Sequence, residues 1–459
     1  MYFADDPRRL YQLHQWLPVF ELLDRAHPVL VVTRHPQTHA EVGRLTRLPR
    51  VCVPKLAELV QLYGDGDLKA AIYVNNSVLN FHSLAATRMV HIYVNHGESD
   101  KVCMASNQAK AYDRVLVAGE AALRRYREAL FEFDERRFVP VGRPQLDLRP
   151  EPVLSPTARR TVLYAPTWEG ENAANNFTSV DVHGPDIAAA ALALPDARVV
   201  YKPHPRGASS KDPGMAAAHR RIVGLVEDAA RREPAAGHRI LINADILAVF
   251  RGCSVLITDV SSVGLDFLYL HVDKPLFVAD RRNDRARLNA EAPVSRCADV
   301  VDAATVGSLT GTLAERLARD AYRVEREAMR RYYFGDPAPM ESTKRFLEAV
   351  EEALAARQTR DRRPLAPSAR DTPFHHGPTT RGVGMREIQI IILAAGLGTR
   401  LGLPLPKPLT PLADGRSILC HQLDNLRQTF ADAARIAVVV GFRYDLIMGA
   451  APEVRFLYN

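Results

Sequence analysis

Four short segments combine the residue types that hold and activate phosphate groups. In Val94-Asn95-His96-Gly97-Glu98-Ser99-Asp100-Lys101, a histidine and a glycine follow an apolar run. The imidazole of His96 could take a proton, and Gly97 would let backbone N–H groups approach an anion. The bland alternative is a turn carrying a surface histidine. In Arg198-Val-Val-Tyr-Lys202-Pro203-His204-Pro205, two prolines fix the backbone beyond a strand, so that Lys202 and His204 project to one side and could grip a pyrophosphate. Ile257-Thr258-Asp259-Val260-Ser261-Ser262-Val263-Gly264 runs from a buried strand into a helix. There Asp259 or Ser261 would cap the helix, and the same N-terminus is an anion site; the two readings are compatible. Leu163-Tyr164-Ala165-Pro166-Thr167-Trp168 opens a further unit, with Trp168 either core or cleft wall.

The elements that must position these segments are legible as apolar runs separated by amphipathic stretches. One series of strands is expected at 29–33, 71–75, 91–94, 115–118 and 138–141, and a second at 161–165, 198–202, 239–242, 255–258 and 275–278. Helical patterns fall at 120–131, 215–232 and 245–253. Continuous apolar strands alternating with helices indicate parallel sheets covered on both faces. Two such series make an α/β protein with two Rossmann-like domains facing a cleft, the GT-B plan, in which residues just after strands line the ligand site. We place an acceptor-side domain at 1–150 and a donor-binding domain at 151–356, closed by the helical stretch 306–356. An Arg/Pro/Ser-rich flexible linker follows at 357–386, and a third Rossmann-like βα unit at 387–459.

With 459 residues, 47% of them hydrophobic, the chain is too long for one small module and too apolar for wholesale disorder. The net charge of +7 favours anionic partners, but only nine of the 60 basic residues are lysines and no basic block alternates with aromatics, so nucleic acid is not expected. Five scattered cysteines form no C-x-x-C pair, and neither a disulfide framework nor a metal site is indicated. No apolar stretch reaches membrane-spanning length.

The set His96-Gly97 with Lys101, YAPTW at 164–168, KPHP at 202–205, and TDVSS at 258–262 followed by Asp266 and Lys274-Pro275 resembles the CDP-glycerol glycerophosphotransferase family, the teichoic-acid polymerases and primases. The resemblance covers roughly residues 70–350. It departs from the family at Val260, where tyrosine is common, at Glu169, where arginine often stands, and around Pro339–Arg345, where a familiar Asp-Gly is not evident. It implies catalysis by His96 and His204. It also implies donor-phosphate contacts from Gly97, Lys202, Ser261 and Ser262, with Asp259 placing them. The implied reaction moves glycerol phosphate, or a related polyol or sugar phosphate, from a CDP-linked donor to a lipid-linked wall or capsule polymer and releases CMP. No cofactor is needed, and the work would be done at the cytoplasmic membrane face, with peripheral contact to anionic lipid. A GT-B glycosyltransferase using a nucleotide sugar and a phosphate-polymer binding module are the competing readings.

The last unit carries Leu393-Ala394-Ala395-Gly396-Leu397-Gly398-Thr399-Arg400-Leu401-Gly402 and Pro406-Lys407-Pro408-Leu409. This combination resembles the sugar-nucleotide pyrophosphorylase and cytidylyltransferase family. The resemblance implies that Ala395, Gly396, Gly398, Arg400 and Lys407 hold CTP or another NTP, with Mg²⁺ in a complete domain. The family's downstream Mg²⁺-holding aspartate is not reached before Asn459, so the unit reads as truncated and is expected not to turn over NTP alone. A nucleotidyltransferase that makes an NDP-activated sugar or polyol is the alternative function for the whole chain.

Overall fold

The apolar runs fold as parallel strands because both of their faces are buried: Val162, Leu163, Tyr164, Val255, Leu256 and Ile257 are all fully enclosed. The computed structural model describes residues 1–148, 150–335, 338–361, 390–393, 406–412, 414–429, 436–440, 444–452 and 454–458. The first sheet consists of β1 (Tyr2–Phe3), β2 (Val31–Thr33), β3 (Arg50–Cys52), β4 (Ala70–Tyr73), β5 (Val90–Tyr93), β6 (Arg114–Val117) and β7 (Phe138–Pro140). The second consists of β8 (Arg160–Ala165), β9 (Ala197–Tyr201), β10 (Arg239–Ile240), β11 (Val255–Thr258), β12 (Leu276–Ala279) and β13 (Asp299–Val301).

Their orders are β3-β2-β1-β4-β5-β6-β7 and β10-β9-β8-β11-β12-β13. Each sheet therefore winds outward in both directions from a switch point, between β1 and β4 in the first and between β8 and β11 in the second. This is the doubly wound Rossmann-like topology, present twice, and it is the GT-B-like pair expected from the sequence. The strands β1, β3 and β13 were not anticipated. Each is only two or three residues long, and β3 begins at the exposed Arg50, so no apolar run announces it.

Local chemistry sets the helix boundaries. The helix Pro213–Arg232 starts where the Asp212 carboxylate accepts the Met215 N–H at 2.8 Å. It buries Met215, Ile222, Val226 and Ala229 along one stripe and ends with Arg231 and Arg232 at its negative pole.

The stretch 306–356, expected to close the second domain, instead divides into Leu309–Ala318, Arg323–Phe334 and Glu341–Asp361, and the last of these returns to the first sheet. Its buried stripe of Phe346, Ala349, Val350 and Ala353 joins Trp16, Phe20, Val94 and Val141 in the first core. The Phe346 ring lies 5.4 Å from that of Trp16. The helix also runs on through residues 357–361, where a linker was expected, and Arg357 Nε donates to the Arg88 carbonyl at 2.8 Å.

The chain divides into two compact units, 1–364 and 365–459. In the second unit β14 (Ile390–Leu393), β15 (Ile436–Val440) and β16 (Arg455–Tyr458) form a parallel sheet in that order. Leu419 and Leu423 of the helix Ile418–Thr429 pack with Ile436, Val438 and Val440. The expected NTP-binding residues Ala395, Gly396, Gly398 and Arg400 lie outside the described residues. Lys407 begins a short 3-10 turn. Among the described residues no helix is long and apolar enough to cross a membrane.

Removing the ring of Phe346 should show what the returning helix contributes. Phe346→Ala is expected to cost about 3–5 kcal/mol in urea unfolding. Val324→Ala, at an exposed position of the preceding helix, should change stability by less than about 0.5 kcal/mol.

Candidate active site

At the second switch point, the loops after β8 and β11 are tied to one another by a buried carboxylate. Asp259, 1% exposed, accepts the Thr167 N–H at 2.7 Å and the Ser179 N–H at 3.1 Å. Burial raises its pKa to about 7, against those bonds and the nearby Lys101 charge. Both oxygens of Asp259 are thus engaged by the protein's own backbone. A carboxylate so placed is a brace for the loops that carry the Ser261 and Ser262 segment.

Immediately beyond it, Ser261 is extended and precedes the helix Ser262–Leu270, which has no side-chain cap. The Ser261 hydroxyl oxygen is buried with no partner. The first-turn amides and this hydroxyl are left to serve an anion, in the field of the helix dipole.

The segment after β9 continues beside β8, with the Lys202 N–H donating to Tyr164 O at 2.9 Å and the His204 N–H to Pro166 O at 3.1 Å. His204 Nδ1 accepts the Arg206 N–H at 3.1 Å, which assigns the proton of the neutral ring to Nε2 and makes that nitrogen a donor. Burial lowers the His204 pKa to about 3, and the charges of Lys202, Lys101 and Arg206 act in the same direction. Lys202 points its ammonium toward Ile242 O at 3.4 Å. Burial lowers its pKa to about 8, opposed by Asp245, so it stays mostly protonated at neutral pH. Trp168 is cleft wall rather than core: the Arg206 guanidinium stacks 3.5 Å above its ring, and the His204 ring is 6.2 Å away.

From the first sheet, the strand-end segment after β5 reaches this wall. Asn95 adopts a left-handed turn with φ of 53°, its carbonyl accepts the Trp16 indole N–H at 2.7 Å, and its side-chain oxygen accepts the His96 N–H at 2.8 Å. Gly97 then passes so close to the helix start that an added Cβ would lie 3.2 Å from Ser262 Cβ. Lys101 crosses to donate to Thr167 Oγ1 at 3.1 Å. The Tyr11 ring stands edge-on to both histidines, with its centroid 6.0 Å from His96 and 5.3 Å from His204. The structure therefore brings together His96, Gly97, His204, Ser261 and Ser262, with Lys202 beside the next loop.

Two participants carry no motif. Arg143, 4% exposed and just after β7, pairs with Asp266 of the helix Ser262–Leu270 at 3.0 Å across the two halves. Burial raises Asp266 to about 6 against the Arg143 charge. Burial likewise lowers His96 to about 4, with the Arg143 charge in support. The strand-end rule applied to β7 would have pointed to Arg143. Tyr11 lies on a four-residue helix with no such signal.

Two doubly wound halves thus meet at an uncapped helix start. Residues 68–286 match the family described as CDP-Glycerol:Poly(glycerophosphate) glycerophosphotransferase, and residues 390–459 match the MobA-like NTP transferase domain. Both matches fall where the motifs implied them, the first over somewhat less than half of the chain. Among curated proteins it is similar to the bifunctional protein GlmU of Azorhizobium caulinodans, 44% identical over 70 residues, and to that of Burkholderia orbicola, 44% identical over 71. Each match spans 15% of this chain and 15% of the relative's length.

Among solved structures, the wall teichoic acid polymerase TagF is 14% identical with a TM-score of 0.47, covering 78% of this chain and 89% of that one. The UDP-N-acetylglucosamine 2-epimerase of Listeria monocytogenes is 13% identical with a TM-score of 0.49, covering 77% and 96%.

The low histidine pKa values carry a pH signature. Between about pH 6.5, where unfolded histidine titrates, and the native values near 4 and 3, the unfolded chain binds protons that the native state does not. The histidines' contribution to stability is therefore full above about pH 6.5 and is lost as the pH falls through that window. The ring NMR signals of His96 and His204 should show no protonation shift between about pH 8 and 5. His204→Gln should lose less stability than the parent on acidification from about pH 6.5 to 4.

Proposed function

We propose that residues 1–361 transfer glycerol phosphate, or a related polyol or sugar phosphate, from a CDP-linked donor to a lipid-linked polymer acceptor at the inner face of the cell membrane, releasing CMP. The observation that supports this reading is the pair of neutral imidazoles flanking Tyr11 beside an uncapped helix N-terminus with an unspent buried hydroxyl. The donor diphosphate would lie against the amides and hydroxyls of Ser261 and Ser262, with the Nε2–H of His204 and the cations Lys101 and Lys202 on its oxygens. The acceptor hydroxyl gives its proton to His96 as its oxygen bonds to the β-phosphorus. The bond from that phosphorus to the bridging oxygen breaks, and CMP leaves with the electron pair.

An imidazole with a pKa near 4 is by itself a weak base. The negative diphosphate favours its protonated form and so raises its basicity when the donor is in place. Gly97 keeps the imidazole's loop against the helix without a Cβ in the way.

For the second unit, the family match at 390–459 favours binding of CTP or another NTP, which would join in one chain an activating domain and the enzyme that consumes its product.

Turnover separates the roles of the two histidines. With CDP-glycerol as donor, His96→Ala should lower CMP release by at least about 100-fold while leaving donor affinity largely intact. His204→Ala should weaken both. Normal turnover by His96→Ala would refute the base assignment, and release of UMP or GMP from nucleotide sugars in place of CMP would move the protein to the glycosyltransferase reading.

A further inference from the structure

The first sheet has its own switch point, and a polar cluster occupies it. β1 and β4 are parallel neighbours, with Tyr2 paired to Tyr73, and the chain continues from them to Asp5 and Asn75. There the Asn75 Nδ2 group donates to Asp5 Oδ2 at 2.6 Å and to Gln12 Oε1 at 2.9 Å. Asp5 Oδ1 also accepts the Ser77 hydroxyl at 3.3 Å and pairs with Arg9 at 3.5 Å. Asn75 is 2% exposed, and with both amide hydrogens spent its Oδ1 is buried and has no partner. A buried acceptor without a donor costs about 1–3 kcal/mol, and a hydroxyl hydrogen would relieve it.

The cluster is next to the chemistry. Tyr73 and Tyr93 are paired across β4 and β5, so Asn75 and Asn95 emerge side by side, one residue before His96. Gln12 follows Tyr11, whose hydroxyl accepts the Gln12 Nε2 hydrogen at 3.4 Å and whose ring edges His96. Amide and carboxylate oxygens suit hydroxyl groups, and the cation at this point, Arg9, is already engaged by Asp5. Crevices at switch points are where open α/β sheets bind ligands.

We propose that the crevice between β1 and β4, lined by Asp5, Gln12 and Asn75, binds the hydroxyl-bearing end of a polyol acceptor and presents it to His96. The proposal rests on the phosphotransfer reading for the nature of this ligand. The two switch points then divide the work, the second holding the donor diphosphate and the first the attacking alcohol.

The test is calorimetric titration of a synthetic oligo(glycerol phosphate) with a free terminal glycerol into the full chain, paired with acceptor KM from CMP release. Asn75→Ala and Asp5→Asn should each weaken binding about tenfold or more and raise acceptor KM in step, with melting temperatures near the parent's. Asn76→Ala, at the adjacent exposed position bonded to Ser106, should bind as the parent does. Unchanged oligomer affinity in both site variants, or no binding by the parent, would overturn the subsite. If the parent binds the oligomer through Asn75 yet releases no CMP from CDP-glycerol, the donor reading fails and the polyol site stands.

Discussion

The loop from Asn95 to Gly97 passes so close to the first turn of the helix Ser262–Leu270 that a Cβ at Gly97 would lie 3.2 Å from Ser262 Cβ, and this close approach sets His96 beside that helix start. It is held from both directions. Trp16 and the left-handed Asn95 set the loop on the first sheet, and the buried Arg143–Asp266 pair ties that sheet's edge to the helix itself. A second buried group lies nearby, where Arg125 pairs with Glu98 at 2.7 Å and Asp100 accepts the Tyr333 hydroxyl at 2.5 Å from the helix Arg323–Phe334. Such pairs add little net stability over an apolar contact, but removing one partner strands the other, so they reward one arrangement of the halves and penalise others.

Electrostatics then follows from closure. Enclosed histidines lose their charged form, while Lys101, Lys202 and Arg206 keep a positive field around His204. A site of neutral imidazoles among cations, open at a helix N-terminus, has its largest unmet demand for negative charge. In the proposed reaction a diphosphate would supply it, and in doing so would restore basicity that burial removes from His96.

The sequence carried the strands that have apolar runs and the histidines that follow them. All ten anticipated strands in the first unit begin and end within two residues of the observed ones because continuous Val/Ile/Leu/Tyr runs are what a doubly covered parallel strand requires. What stayed hidden depends on partners far along the chain. The helix Glu341–Asp361 shows a buried stripe either way, and nothing local tells that its mate is Trp16 of the first core. Which groups Asp259 holds shows only once Thr167 and Ser179 claim its oxygens. Arg143 and Tyr11 gain meaning only when two sheets close on each other, and the orphaned Oδ1 of Asn75 exists only because Asp5 and Gln12 take its amide hydrogens.

The measurement that bears most directly on this account is a crystal structure of the full chain with CDP-glycerol bound. The account predicts the diphosphate at the start of the helix Ser262–Leu270, within about 3 Å of the Ser261 and Ser262 amides and of His204 Nε2, with His96 on the opposite side of the β-phosphorus. A donor bound with its phosphates away from that helix start, or with both histidines on the same side of the phosphorus, would contradict it.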